Sequence, residues 1–268
     1  MQVALGVCTY NRPAFADKCL RAIRDHVAPL VCAVAVYNDG SDPKYHAEYR
    51  RAYKRLEGAT IIEAPDNRGV ASAKNTLLRW MLDTTEADWL ILCEDDIFVQ
   101  APEAVTEYVQ VAEETGLHHL SFAHHGPGNQ AGPVSVRGKV GYYVHSIGAW
   151  CLYSRECLET VGLFDENFHN AWEHVELEVR LAQAGFMPNA GLHRFPDVLG
   201  SEQWLVEAPN SIEKSSIRPR DDWQQSIIDG LTYWANVKPE TFTLLFGPGT
   251  QLEDYARGVL GTVPSPVL

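Results

Sequence analysis

The sequence has no excess of basic residues: 22 Lys and Arg stand against 35 Asp and Glu, a formal net charge of −13 over 268 residues. That balance argues against a broad nucleic-acid-binding surface. No apolar run reaches the roughly 18–20 residues of a membrane span, so none is expected. Met1 to Gly6 contains no basic leader and too short an apolar run for a signal peptide. None of the six cysteines forms a C-x-x-C pair. A chain of this length does not need disulfide staples, so reduced thiols and a cytoplasmic location are expected. Cys8, Cys32, Cys93 and Cys151 lie in apolar runs and read as small buried hydrophobes. Internal repeats and a clear linker are also missing, which leaves one domain with a C-terminal extension.

What is present is an alternation of short apolar runs and helical patterns. Val3 to Cys8, Val31 to Tyr37, Thr60 to Glu63 and Trp89 to Cys93 read as strands. Between them, Ala14 to Val27 repeats apolar residues at helical spacing, Pro43 to Leu56 reads as a polar helix, and Ala71 to Leu82 as another helix. This order predicts an α/β fold with a mainly parallel central sheet flanked by helices. Ligands in such sheets bind beyond the carboxyl ends of the strands. Four polar loops then share one rim: Thr9 to Pro13, Asn38 to Asp42, Asp66 to Val70, and Glu94 to Asp96. The second half is less regular. Strands are expected near 118–123 and 141–153, helices over 172–184 and 221–234, and a surface appendage from Gly247. His124 and His125 open a Gly- and Pro-rich loop, read either as a cover for substrate or as plain exposed surface.

Glu94-Asp95-Asp96 follows an apolar strand directly. Three adjacent carboxylates repel one another unless a metal or a basic group sits among them. Mg²⁺ or Mn²⁺ prefers such oxygen ligands and keeps open positions for phosphates. The bland alternative is a solvated acidic turn.

Several motifs then coincide. Val3 to Pro13 contains Thr9-Tyr10-Asn11-Arg12, and Tyr37-Asn38-Asp39-Gly40-Ser41 is a D-D-G-S-like turn with Asn38 for the first Asp. Asn67 to Asn75 follows N-x-G-x-x-x-A-R-N with Lys74 for Arg, and Glu94-Asp95-Asp96 stands at the D-x-D position. Val161 to Phe168 follows V-G-G-F-D-E-x-F, and Trp172-Glu173-His174-Val175-Glu176-Leu177 follows W-E-D-x-E-L with His174 for Asp. Over roughly 3–195 the chain resembles family 2 glycosyltransferases with a GT-A fold. The expected division is 1–200 as the glycosyltransferase domain and 201–268 as an α-helical extension packed on it.

The resemblance implies a metal-dependent transfer, inverting in stereochemistry, of a sugar from a nucleotide-sugar donor, UDP-sugar favoured, to an unidentified hydroxyl acceptor. It implies Mn²⁺ or Mg²⁺ as cofactor, held by Asp96 and Glu94, with His193 completing the shell. Asp95 is assigned to the ribose or to the metal. Thr9, Tyr10, Asn11, Arg12, Asp39, Arg68 and Lys74 are assigned to the nucleotide: Tyr10 stacked on the base, Asp39 bonded to it, Arg68 and Lys74 facing the diphosphate. Tyr10 also reads as a core aromatic, Asp39 as a turn-forming residue, and Arg68 and Lys74 as solvated. Glu173, then His174, is the expected general base; Glu173 alternatively only favours a helix N-terminus. Trp150, Trp172, Trp204 and Tyr142 read either as an aromatic wall for the acceptor or as core. A nucleotidyltransferase would need glycines in the first loop, which has none. A non-catalytic protein of the same fold remains the other alternative, supported by Asn38 and His174.

Overall fold

A computed structural model describes residues 1–124, 129–188, 194–211, 214–215 and 223–247. His125, His193 and the tail from 248 lie outside the described residues. The first half alternates strand and helix: β1 (Val3–Thr9), α1 (Pro13–His26), β2 (Ala33–Asn38), α2 (His46–Tyr53), β3 (Thr60–Glu63), α3 (Val70–Thr84) and β4 (Trp89–Glu94). Then come β5 (Ile97–Val99), α4 (Glu103–Thr115), β6 (His119–Ser121), β7 (Ser135–Arg137), β8 (Val140–Tyr143), β9 (Trp150–Ser154), α5 (Arg155–Val161) and α6 (Glu173–Gln183). The chain continues through β10 (Phe195–Val198), β11 (Leu205–Glu207), α7 (Trp223–Val237) and α8 (Pro239–Phe246).

The central sheet has the order β3-β2-β1-β4-β9-β6. β1 pairs in parallel with both β2 and β4, and β2 with β3, whereas β9 runs antiparallel to β4 and to β6. The sheet reverses its order around β1, and the register sets Thr9 beside Asn38 and Cys8 beside Glu94. The four rim loops therefore follow four neighbouring parallel strands, at the usual place for a ligand in an open sheet.

Alternation along β1 assigns the two cores. Val3, Leu5 and Val7 face one side with Cys19, Leu20 and Ile23 of α1 and the apolar stripe of α4. Ala4 and Cys8 face the other, under Leu77, Leu78 and Met81 of α3 and residues of α6, α7 and α8. Five cysteines are buried and all six are unbonded. Cys32 departs from the sequence expectation: it is exposed, because it sits in the turn ahead of β2 rather than within the sheet. Trp150 is fully buried in the core, which removes it from any acceptor wall.

The described residues after 200 are woven into the rest. β11 pairs antiparallel with β5, immediately beyond the acidic triplet, and the Ala208 N–H donates to the Asp96 carbonyl at 2.7 Å. Ile227, Leu231 and Trp234 of α7 and Phe242 and Leu245 of α8 share one core with α6. Among the described residues no helix is long and apolar enough to cross a membrane.

Candidate active site

The Asp39 turn is held from within. Its carboxylate accepts from Asn67 Nδ2 at 2.8 Å, the Arg68 N–H at 2.9 Å and the Gly69 N–H at 3.0 Å. Burial raises its pKa, opposed by the two backbone bonds. Asp39 thus ties the β2 turn to the entrance of α3. Gly69 at that entrance has φ +88°, and an added Cβ would lie 2.4 Å from His169 Nδ1. Only glycine combines that backbone with so close a neighbour. Asn38 uses both ends of its amide, donating to the Tyr53 hydroxyl and accepting from the Ser41 N–H. A carboxylate there has no donor for Tyr53.

At the end of β1, the Thr9 hydroxyl donates to Asp95 Oδ2 and lies 2.9 Å from the Tyr49 hydroxyl. Asn11 ties the first loop to the second: its N–H donates to Ser41 Oγ and its Oδ1 accepts from the Asp42 N–H. Tyr10 is half-buried in the same loop, and Arg68 is exposed at the rim. Arg12 turns inward, donating from Nη1 to Asp96 Oδ2 at 2.8 Å and from Nη2 to Asp95 Oδ1. Both oxygens of the fully buried Asp95 are thereby engaged. Burial raises the Asp95 pKa, and Arg12 draws it back.

Glu94, the third acid, meets a different cation. Lys74 projects from α3 with only 1 % of its surface exposed. Its ammonium lies 2.9 Å from Glu94 Oε1 and 3.2 Å from Glu173 Oε1, and it donates to the Gly148 carbonyl at 2.9 Å. Lys74 is therefore in the floor of the site rather than on an open rim. Burial alone would raise the Glu173 pKa, but Lys74 and His174 hold its carboxyl well below the usual range. His174 Nδ1 is 3.2 Å from the same Glu173 oxygen, and its Nε2 is 3.3 Å from the Ser146 carbonyl. Burial would lower the His174 pKa, but the Glu173 carboxylate outweighs it and raises the value above 6.5. His174 keeps 18 % of its side chain exposed, Glu173 only 3 %.

Trp172, the residue before α6, has φ +74°. Its indole N–H donates to the Ile227 carbonyl at 3.1 Å, and its ring packs on Trp234 and Phe246. The C-terminal helices thus hold the strained turn that presents Glu173 and His174. Sequence reasoning missed the loop 144–149, which supplies the Ser146 and Gly148 carbonyls to this cluster. A Cβ on Gly148 would lie 2.7 Å from Lys74 Nζ and 3.0 Å from the His174 ring, so the bare glycine is what admits both. The signal for this was a single glycine before the apolar run of β9, too common to stand out.

Glu94 and Asp96 offer oxygen donors, the chemistry that suits Mg²⁺ or Mn²⁺. Among the described residues no three His, Cys, Asp or Glu side chains are grouped so as to hold a metal. Mg²⁺ at phosphate sites commonly uses one or two carboxylates, with phosphates and waters filling the rest. The residues present fit that arrangement. His193 lies outside the described residues.

Residues 5–132 match the family Glycosyl transferase family 2. No curated protein matches the chain at a significant level. Among solved structures, the chain is similar to the mannosyltransferase PcManGT from Pyrobaculum calidifontis in complex with GDP-Man and Mn²⁺, with a TM-score of 0.61 and 16 % identity over 98 % of this chain and 76 % of that one. It is also similar to S. aureus TarS in complex with UDP-GlcNAc, with a TM-score of 0.58 and 12 % identity over 96 % and 74 % of the two chains. GalNAc-T7 with UDP, GalNAc and Mn²⁺ gives 0.55 and 10 %, over 74 % of this chain and 42 % of that one. At such identities the likeness is one of fold. The chain is thus family 2-like in its first half and has the GT-A glycosyltransferase fold.

Proposed function

We propose that the protein transfers a sugar, with inversion, from a nucleoside-diphosphate sugar to a hydroxyl acceptor, UDP-sugar being the favoured donor. The observation that carries this reading is Lys74. One buried ammonium joins Glu94, at the acidic strand end, to Glu173, which starts α6 and lies 99 residues after Lys74. The donor side, at Glu94, and the acceptor side, at Glu173, meet in this reading at Lys74. In this reading residues 1–200 supply the site, and the described part of 201–268 braces the α6 turn.

Asp96 and Glu94 would hold Mn²⁺ or Mg²⁺, which supplies charge stabilisation to the departing diphosphate. Thr9, Tyr10, Asn11 and Asp39 shape the nucleoside side, with Arg12, Arg68 and Asp95 near the phosphates and ribose. His174 takes the acceptor proton at Nε2, because it is the more exposed member of the pair and Glu173 engages Nδ1. The acceptor hydroxyl then replaces the Ser146 carbonyl that lies 3.3 Å from Nε2. Glu173, held ionised by Lys74, orients the ring through Nδ1 and stabilises the imidazolium that forms.

The test is release of nucleoside diphosphate from a panel of nucleotide sugars, followed by mass spectrometry of products formed with cell extract. At least one donor is expected to be turned over, with loss of activity in excess chelator. Asp96→Ala is expected to keep the fold and lower turnover by about 10²-fold or more, the scale of one lost electrostatic stabiliser. No turnover of any donor by the wild-type protein would remove the reading.

A further inference from the structure

Arg12 is not explained by nucleotide binding alone. Its guanidinium forks across the acidic pair, with one nitrogen on Asp96 Oδ2 and the other on Asp95 Oδ1. The side chain lies over the Phe15 ring, 5.4 Å from its centroid, and is only 16 % exposed. On its other side the Thr9 hydroxyl fixes Asp95, so this acid is immobilised between two donors. Asp96 is held differently: among the described residues its side chain bonds to Arg12 alone, and it retains 13 % exposure. The fork is thus anchored at Asp95 and open to release at Asp96.

A divalent cation seeking Asp96 meets a positive charge already in contact with that carboxylate. Like charges at such spacing in a poorly hydrated site repel strongly. We propose that Arg12 is a displaceable occupant of the cation position: it neutralises the acidic pair in the donor-free protein and must leave Asp96 before Mn²⁺ or Mg²⁺ binds. A planar guanidinium released in this way finds its best alternative acceptors in phosphate oxygens. Donor arrival therefore favours cation binding by giving Arg12 somewhere else to bond. The inference rests on the transferase reading only for the nature of the cation and the donor.

The experiment is Mn²⁺ binding by calorimetry, without nucleotide, to the wild-type protein, Arg12→Gln and Arg12→Lys, with circular dichroism to verify folding. Arg12→Gln removes the competing charge and is expected to bind Mn²⁺ at least about tenfold more tightly than wild type, with Arg12→Lys between them. Equal or weaker binding by folded Arg12→Gln overturns the proposal, as does absence of Mn²⁺ binding to both proteins. A wild-type measurement covers the case in which Arg12→Gln does not fold. The guanidinium signals of Arg12 in nitrogen-detected magnetic resonance, assigned by their loss in Arg12→Lys, are expected to shift as Mg²⁺ is added, because the Nη1 contact to Asp96 is lost while the Nη2 contact to Asp95 stays. Signals unchanged at the highest Mg²⁺ concentration overturn it equally. Neither readout needs turnover, so donor release by the wild-type protein decides the transferase reading separately.

Discussion

In the proposed transfer reaction, Glu173 and His174 divide one task between two side chains. A carboxylate clamped by a buried ammonium and an imidazole is a weak proton acceptor, since its charged form is already stabilised. The same clamp makes it a strong partner for an imidazolium. The His174 pKa lies above its ordinary 6.5, with burial opposing and Glu173 prevailing. Protonated His174 has no lone pair to offer, so turnover is expected to rise with pH through an acid limb above 6.5. Glu173→Gln removes the carboxylate that raises the limb. It should move the limb to lower pH and reduce kcat more than it changes the donor KM. His174→Ala should abolish the limb. A wild-type profile flat from pH 5 to 8, measured with the true acceptor, would remove His174 from the role of base.

The α6 element depends on a backbone that its own residues do not favour. Trp172 at φ +74° adopts a left-handed conformation that costs an L-residue roughly 1–2 kcal/mol. Packing on α7 and α8 offsets this, because the indole fills a space lined by Trp234 and Phe246 and finds an acceptor in Ile227. Trp172→Ala keeps the strain and loses the ring, and is expected to destabilise the protein by about 3 kcal/mol in denaturant unfolding. Trp172→Gly also loses the ring but relieves the backbone. It should be the more stable of the two by about 1 kcal/mol, against the usual order of glycine and alanine. If Trp172→Gly is the less stable variant, the turn is not strained as described.

At the scale of the molecule, the C-terminal helices are fastened by charge as well as by aromatic packing. Lys238, between α7 and α8, reaches Asp165 at 2.7 Å and Glu176 at 2.8 Å, while Arg180 bonds Glu176 from the next turn of α6. Burial would raise the Asp165 pKa, but Lys238, the Asn167 N–H and Tyr233 lower it to about 2. A lowered carboxyl pKa contributes stability that is present above the ordinary 3.8 and is lost as pH falls toward about 2. Thermal midpoints of wild type and Asp165→Asn should therefore differ at pH 7 and converge as pH falls from about 4 to 2. A gap that stays constant over that range would mean the ion pair contributes nothing.

The sequence by itself determined the first half of the fold. Apolar strands alternating with helical spacing can bury their faces only as a parallel sheet between helix layers, and the polar loops then fall on one rim. It also determined where chemistry could gather, since Asp39, Glu94, Asp95 and Asp96 stand at strand ends whatever their partners. Tertiary structure alone decided how those charges are paired. That Lys74 lies between Glu94 and Glu173, or Arg12 between Asp95 and Asp96, depends on side chains 99 and 83 residues apart in the chain. No local periodicity encodes such distances. The pairing of β5 with β11 was equally hidden, because strands of three residues are too short to show alternation. Trp172 was legible as an aromatic but not as the strained hinge of α6, for its conformation is imposed by helices more than 50 residues later in the chain. Burial then sets the outcome: in a poorly hydrated cleft each charge needs a close partner, and which partner is within reach is a property of the folded chain.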